Sequence, residues 1–121
     1  MKDVFIVRAL ENLKCAEMAF ENELFNASAN RAYYAAFQVA IAAIYSIGIE
    51  PKIEHKTIQI LFADNFFNRK KVISSKYKGY FGELQKKRNK ADYQMGISKK
   101  EAAEQLKCAK EIIEIILEII K

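Results

Sequence analysis

The chain has 121 residues, 51% hydrophobic and 29% charged, which is the balance of a single globular domain long enough to bury a core. With 4 Gly and 1 Pro it holds little material for turns, so the composition favours helices joined by a few short loops. Two cysteines, Cys15 and Cys108, stand far apart without a neighbouring His cluster. This spacing argues against a zinc site, leaves a disulfide open, and favours reduced thiols in a cytoplasmic protein.

Two segments bear on the membrane question. Residues 1–14 carry charges throughout, so they do not read as a signal peptide. Residues 32–49 run for 18 positions without a charge, at the lower limit of a transmembrane span. Because this run contains three Tyr, a Gln, a Ser and a Gly, and no second span accompanies it, we interpret it as a buried central helix and expect no membrane association.

The first two helices are predicted from apolar spacing and from residues that favour helix ends. Helix one covers residues 3 to about 22, Asn26 is the predicted N-cap of helix two, and Gly48 is its predicted stop. Helix two is apolar almost all round, so it belongs at the centre of a bundle or between two subunits. The inward stripe of helix one recurs at steps of three and four: Ile6, Ala9, Leu10, Leu13, Ala16 and Phe20.

Three further helices complete the predicted fold. Pro51 opens a third helix, a fourth begins around Ser74 or Ser75, and the capping-box pattern from Ser98 to Glu101 fixes the start of the last. The last helix carries two apolar rows, which are wider than a single packing partner requires. These rows are Ala102, Leu106, Ala109, Ile113, Ile116 and Ile120, and Cys108, Ile112, Ile115 and Ile119. We predict an all-α fold, an up-and-down four-helix-type bundle with a short extra helix, five helices in one domain over residues 1–121.

Helix four carries two charges on its apolar stripe. Arg88 and Asp92 follow Tyr77, Phe81 and Leu84 at helical steps, so both are predicted to face inward. A buried guanidinium is costly unless it is paired, and Asp92 is one turn away. The two residues therefore form either a local ion pair without a further role or part of a functional site.

Helix two carries a similar exception at Asn30, which shares an apolar face with Tyr34 and Phe37. Asn30 either lies close enough to the helix start to be solvated or meets Arg88 from the fourth helix. In the second case the two helices would build one polar site.

Basic residues are concentrated in one part of the chain. The segment from residue 69 to residue 90 contains nine basic residues and one acid, a net charge of +8, whereas the rest of the chain carries −3. Tyrosines and a phenylalanine interrupt this band, a combination that suits an RNA backbone or an acidic protein partner, although lysine-rich faces are often only solvated. The basic residues are Arg69, Lys70, Lys71, Lys76, Lys78, Lys86, Lys87, Arg88 and Lys90.

His55 is the single histidine, and a lone histidine is more often structural than catalytic. No second group of ligands accompanies it, so a metal site has no support, and no phosphate-binding glycine loop or nucleophile motif predicts a cofactor. The role of His55 stays open at this point.

Two stretches resemble a known family, the small stand-alone HEPN proteins of archaea and bacteria. They are "NRAYYAAFQVAIAAIYSIGIEPK" and "RNKADYQMGISKKEAAEQLKCAKEII", and the resemblance spans roughly residues 25–118. It implies a bundle of four main helices plus a short one, usually a homodimer, with a polar cleft between subunits. It also implies a link to metal-independent ribonuclease toxins, which are often encoded beside a minimal nucleotidyltransferase that restrains them.

The ribonuclease signature of that family is an arginine, four to six further residues, and a histidine. Arg88 matches the arginine and Asn30 matches a supporting polar position on helix two, but the histidine positions hold Tyr93, Gln94 and Met95. A tyrosine hydroxyl, with an ordinary pKa of about 10, exchanges protons near neutral pH much less readily than a histidine. We therefore rank binding above cleavage, and whether the protein is an enzyme stays uncertain.

Three functions follow for test. The first is a dimeric module that binds RNA, a nucleotide or a nucleotidyltransferase partner, in a context like that of toxin–antitoxin pairs. The second is a noncanonical metal-independent ribonuclease with candidate catalytic residues Arg88, Asp92 and Tyr93. The third is a helical adaptor that works through the doubled stripe of the last helix. The candidate binding residues are Asn30, Arg31, Tyr34, His55, Lys87, Arg88 and Lys90.

Overall fold

A computed structural model describes residues 1–69 and 71–120. Five α-helices make up most of it, which confirms the predicted all-α architecture with five helices. One of them is short, as expected, and no helix of the described residues is long and apolar enough to cross a membrane. The helices are α1 Lys2–Glu21, α2 Phe25–Ser46, α3 His55–Phe62, α4 Tyr80–Tyr93 and α5 Lys99–Ile120.

Helix α2 is the centre of the bundle and packs against each of the other four helices. It lies antiparallel to α1, because the Phe5 ring stacks on Tyr45 at one end of the pair and the Ser28 hydroxyl donates to the Ala16 carbonyl, 2.8 Å away, at the other. Its many alanines let neighbouring helices approach closely, and the residues from 39 to 44 are all buried. The uncharged run is therefore a core helix.

The predicted starts of helices two and three are wrong. Helix α2 begins at Phe25, so Asn26 lies inside its first turn, where the side-chain Oδ1 accepts a hydrogen bond from the Ile97 backbone N–H at 3.0 Å. Helix α3 begins at His55 rather than at Pro51, which is buried in the extended link before it. In both cases a residue that favours helix starts has another role, so local propensity misplaced the boundary.

The link from α3 to α4 is more irregular than one loop. Helix α3 continues directly into a π-helical segment, Ala63–Arg69, and a short 3₁₀ turn, Ser75–Tyr77, precedes α4. Ser74 caps that turn by accepting a hydrogen bond from the Lys76 N–H. The predicted start at Ser74 or Ser75 therefore marks the 3₁₀ turn, and α4 itself begins at Tyr80.

The capping box of α5 is confirmed. The Ser98 hydroxyl accepts from the Glu101 N–H, and the Glu101 carboxylate accepts from the Ser98 N–H, each at 3.1 Å. Most of the doubled stripe packs inside the bundle, with Ile112, Ile113 and Ile116 at or below 2% exposure.

Gln105 connects α5 to the two helices that carry Asn30 and Arg88. The α5 side chain of Gln105 is buried and donates to the carbonyls of Ala29 and Leu84, at 3.2 and 2.8 Å, so it ties α5 to α2 and α4.

The predicted inward stripe of α1 is corrected at two positions. Leu10, which was expected to face inward, is exposed, and Phe5, which was not in the stripe, is buried.

Candidate functional site

The inward position predicted for Arg88 is correct: the residue is 8% exposed on the face of α4 that packs on α2. Its guanidinium carbon lies 5.4 Å from the ring centre of Tyr33, 5.6 Å from that of Tyr34 and 5.8 Å from that of Tyr93. Three aromatic faces around a cation stabilise its charge while leaving the N–H edges of the guanidinium unused. The arginine is therefore caged by rings rather than neutralised by an acid.

Asp92 is only a loose partner for Arg88. The closest approach of their charged atoms, Nη1 to Oδ2, is 4.0 Å. The same Oδ2 accepts a much shorter hydrogen bond, 2.8 Å, from the Asn30 amide of α2. Nε of Arg88 is buried and has no hydrogen-bond partner among the described residues, so this guanidinium keeps one unfilled donor.

Arg31 orients the amide that holds Asp92. Its Nε donates to the Asn30 Oδ1 at 2.8 Å, and its Nη1 donates to Asn12 on α1 at 3.1 Å. With Oδ1 occupied in this way, Asn30 presents its NH₂ group to Asp92. The Arg31 guanidinium also lies 5.0 Å from the ring of Tyr34, which therefore lies near two arginines. These two arginines and the one aspartate leave a net charge of +1 at the site.

His55 is connected to the site by ring contacts with Tyr33 and Tyr34. Its ring stacks against Tyr33 and Phe37, with ring centres 5.5 and 4.6 Å away, and meets Tyr34 edge-on at 5.8 Å. Because Arg88 contacts the same two tyrosines, the first turn of α3 and the end of α4 converge on one aromatic cluster. Asn30, Arg31, Tyr34, His55, Arg88, Asp92 and Tyr93, seven of the predicted residues, belong to this connected group.

The hydrogen bonds around Tyr33 define the tautomer of His55. The Tyr33 hydroxyl is buried between the His55 Nδ1, at 2.6 Å, and the Gln59 Nε2, at 3.4 Å. The Gln59 amide also donates to Gln85 Oε1 at 2.8 Å. Since an amide NH₂ can only donate, Nδ1 is the atom left to accept the tyrosine proton. His55 therefore carries its own proton on Nε2.

Burial and charge hold this pair neutral. Burial lowers the pKa of His55 below its ordinary 6.5, and the positive charge of Arg88 lowers it further. Burial also raises the pKa of Tyr33 above 10, against smaller opposing effects of Gln59 and Arg88. Near pH 7 the site thus presents charged arginine beside neutral histidine and tyrosine.

Lys87 and Lys90 lie on another side of α4. Lys87 pairs with Glu104 at 3.2 Å, and Lys90 pairs with Glu101 at 2.7 Å, so both lysines connect α4 to α5. Neither of these ion pairs includes a residue of the Arg88 cluster. A part for Lys87 and Lys90 in binding stays a prediction.

Sequence reasoning missed Tyr33, Gln59 and Gln85 as site residues. A signal was available for two of them, because Tyr33 is one helical turn after Asn30, and Gln85 is one turn before Arg88. The partner that joins them, Gln59, sits on α3, and only the packing of α3 on α2 brings it near. No group of three His, Cys, Asp or Glu residues in the described chain is arranged to hold a metal ion, and Cys15 and Cys108 are free thiols.

Comparison with known families identifies the fold. A family model described as HEPN domain matches residues 3–120, nearly the whole chain. The chain therefore belongs to the HEPN family, whose members are often ribonucleases or related to toxins. No curated protein matches it. The positions expected to hold the family histidine are at the end of α4, where Tyr93 and Met95 are 75% and 96% exposed.

Proposed function

We propose that this chain is a cytoplasmic, single-domain HEPN module that binds RNA or a nucleotide through Arg88, as a homodimer, in a context like that of toxin–antitoxin pairs. The observation that carries the proposal is the state of Arg88, which is buried among three tyrosine rings with a donor left unfilled. A phosphate oxygen is the kind of acceptor that such a guanidinium binds best. Asn30, oriented by Arg31, supports this state because it gives Asp92 Oδ2 a hydrogen bond of 2.8 Å, shorter than the 4.0 Å contact of the same oxygen with Arg88.

Binding fits the proton positions better than cleavage does. Attack by an RNA 2′-hydroxyl requires a group that takes up a proton near pH 7. The lone pair of His55 Nδ1 already accepts the hydrogen bond from Tyr33, and the other ring nitrogen, Nε2, carries a hydrogen. His55 therefore suits a role as a neutral hydrogen-bond donor to a ligand.

Assembly belongs to the same proposal. Just past the end of α4 the apolar side chain of Met95 is 96% exposed, which supports an interface there with a second copy or with a minimal nucleotidyltransferase. Co-purification of the products of neighbouring genes and the mass of the particle in solution test this part.

The binding proposal is tested by substituting the caged arginine. Arg88→Lys keeps the charge but loses the planar fork, so we expect affinity for uridine monophosphate and short RNA to fall roughly 10-fold or more. Arg8→Lys, on the exposed part of α1, is the matched control. Unchanged affinity in an Arg88→Lys variant with wild-type helical content would refute the proposal.

A noncanonical ribonuclease is the second candidate, because Asp92 and Tyr93 also lie next to Arg88. Growth arrest on expression, lost in a folded Arg88→Ala variant, would favour it over pure binding. The helical adaptor has less support, since most of the doubled stripe of α5 is covered within the bundle.

A further inference from the structure

One face of α4 points away from the bundle and forms a continuous ridge. Gly82, Lys86, Asn89 and Tyr93 follow one another at steps of four and three residues, so they share this face, and Lys78 lies in the turn just before α4, four positions ahead of Gly82. Asn89 is half-buried and the other four residues are exposed. The last of them, Tyr93, is also a wall of the Arg88 cage, so the ridge leads to the proposed binding site.

The lysines of this region divide into two groups. Lys87 and Lys90 are paired with acids of α5, as described above. Lys71, Lys76, Lys78 and Lys86 are exposed and form no ion pair with the described residues. Within the ridge this leaves two unpaired lysines eight positions apart, Lys78 in the turn before α4 and Lys86 on the helix. The single acid of the basic band, Glu83, lies to one side, next to Lys87 and Glu104.

Gly82 has no packing reason to be a glycine. It lies in the third position of α4, and a Cβ added there would meet nothing within 4 Å. Glycine lowers helix stability relative to residues with side chains, so this position gives up stability without a benefit inside the chain. Because Gly82 has no side chain, the helix backbone between Lys78 and Lys86 is uncovered, and another molecule can approach it closely.

A polar depression lies at the far end of the ridge. It has a volume of about 370 Å³ and is formed by the link before α4 and the 3₁₀ turn. Its walls are Phe67, Lys71, Ile73, Ser74, Ser75 and Lys78. Lysine ammonium groups and serine hydroxyls are both donors to phosphate oxygens, so this depression fits an anionic group.

We infer that the ridge is a track for single-stranded RNA, which runs from the depression at Lys71 and Lys78 over Gly82 and Lys86 to Tyr93. The inference rests on the proposed RNA-binding function and adds the path of the strand. Lysines would contact successive phosphates, and the exposed Tyr93 ring offers a face for an unpaired base beside Arg88. Two copies of the chain would not pair through Lys78 and Lys86, because equal positive charges would face each other.

The charge part of the track is tested by salt dependence. In Lys78→Gln/Lys86→Gln, binding of a 12-nucleotide oligouridylate should lose two phosphate contacts, so the slope of log K against log salt should become shallower by about 1.4. The control Lys14→Gln/Lys107→Gln removes the same charge from exposed positions on α1 and α5 and should leave the slope unchanged. Equal slopes in the two double variants would overturn the inference.

The role of Gly82 is tested separately. Gly82→Gln adds a good helix former, so the Tm should rise while affinity for the oligonucleotide falls several-fold. A raised Tm with full RNA affinity would contradict the path over Gly82. Displacement of the RNA by polyglutamate at equal charge concentration would instead indicate an acidic protein as the occupant and would also overturn the inference.

The experiment distinguishes the track from the function on which it rests. Uridine monophosphate is too short to follow the ridge, so its affinity should depend on Arg88 and not on Lys78 or Lys86. If the mononucleotide binds through Arg88 while the oligonucleotide ignores both lysines, the track is wrong and the proposed function stands. If Arg88→Lys leaves mononucleotide binding intact, the proposed function fails first.

Discussion

Asn30 and Asp92 lie 62 positions apart in sequence and are joined by a hydrogen bond of 2.8 Å between the amide Nδ2 and the carboxylate Oδ2. This bond links the start of α2 to the end of α4. The same Oδ2 is also the carboxylate atom nearest to Arg88, whose Nη1 is 4.0 Å away and beyond hydrogen-bond range, so its short bond goes to the amide. The positive charge of Arg88 is thus kept available by a neutral residue on a different helix.

Removing this amide should weaken both the fold and the site. We expect Asn30→Ala to lower the free energy of unfolding by about 1–2 kcal/mol, because Asp92 loses its short hydrogen bond. It should also reduce nucleotide affinity, since Asp92 is then free to pair with Arg88. Urea denaturation and a binding titration measure the two effects. Asn68→Ala, at an exposed position, should stay within about 0.5 kcal/mol of wild type; a similar loss in both variants would contradict the role of Asn30.

The tautomer of His55 is directly observable. The ¹⁵N NMR spectrum should show Nδ1 as the unprotonated ring nitrogen and Nε2 as the protonated one, because the Tyr33 hydroxyl donates to Nδ1. Tyr33→Phe removes that donor and should raise the pKa of His55 toward 6.5, since the bond favours the neutral ring. Tyr45→Phe should leave the titration as it is. The opposite tautomer in wild type would remove the argument against His55 as a base.

The depressed pKa of His55 also has a consequence for stability. Below pH 6.5 the unfolded chain takes up a proton that the folded chain resists, so the histidine contributes stability above pH 6.5 and loses that contribution as pH falls through its folded pKa. His55→Gln should flatten the stability curve in this range. Chemical denaturation at several pH values between 5 and 8 measures the difference, and parallel curves for the two proteins would contradict the prediction.

A second pH effect arises at the capping box of α5. The hydrogen bond from Lys90, together with that from the Ser98 N–H, lowers the pKa of Glu101 to about 2. Glu101 therefore stabilises the fold fully above about pH 4.5 and loses this contribution as the pH falls toward 2. Glu101→Gln should reduce the loss of stability in acid, measured by thermal unfolding between pH 2 and pH 5. The exposed substitution Glu114→Gln should keep more of the wild-type acid dependence.

The buried amide of Gln105 offers a test of the bundle itself. Gln105→Leu fills similar space but loses the bonds to Ala29 and Leu84, and we expect a cost of about 1 kcal/mol. Gln105→Ala adds a cavity and should cost about 2–4 kcal/mol. Equal stability of the two variants, measured by urea denaturation, would show that packing at this position matters little.

The sequence predicted those features that depend on local chemistry. The capping box from Ser98 to Glu101 was correct because its two hydrogen bonds form between residues three apart. Arg88 was correctly placed inward because helical spacing fixes the face of a residue. Asn26 and Pro51 were wrong as helix starts, because a contact with Ile97 and burial of the link outweighed local propensity.

The site needed long-range information. The sequence left open whether Asn30 is solvated or meets Arg88, and it gave no sign that Asp92 would bind the amide more closely than the arginine. The relay from Gln85 through Gln59 to Tyr33 combines three helices, and each of its polar residues alone resembles an ordinary surface residue. Such relationships depend on how the helices pack, and a single sequence contains no direct measure of that.

The π-helical segment Ala63–Arg69 makes this part of the chain sensitive to its length. Phe62 and Phe67 are five positions apart, which would place them on different faces of an α-helix, yet their ring centres lie 5.8 Å from each other because the turns here are wider. In an α-helix of the same length Phe67 would turn away from Phe62, whereas deletion of one residue between them would leave the two rings four positions apart, on one face of an α-helix. A relative with a one-residue gap here should therefore carry its second phenylalanine one position earlier.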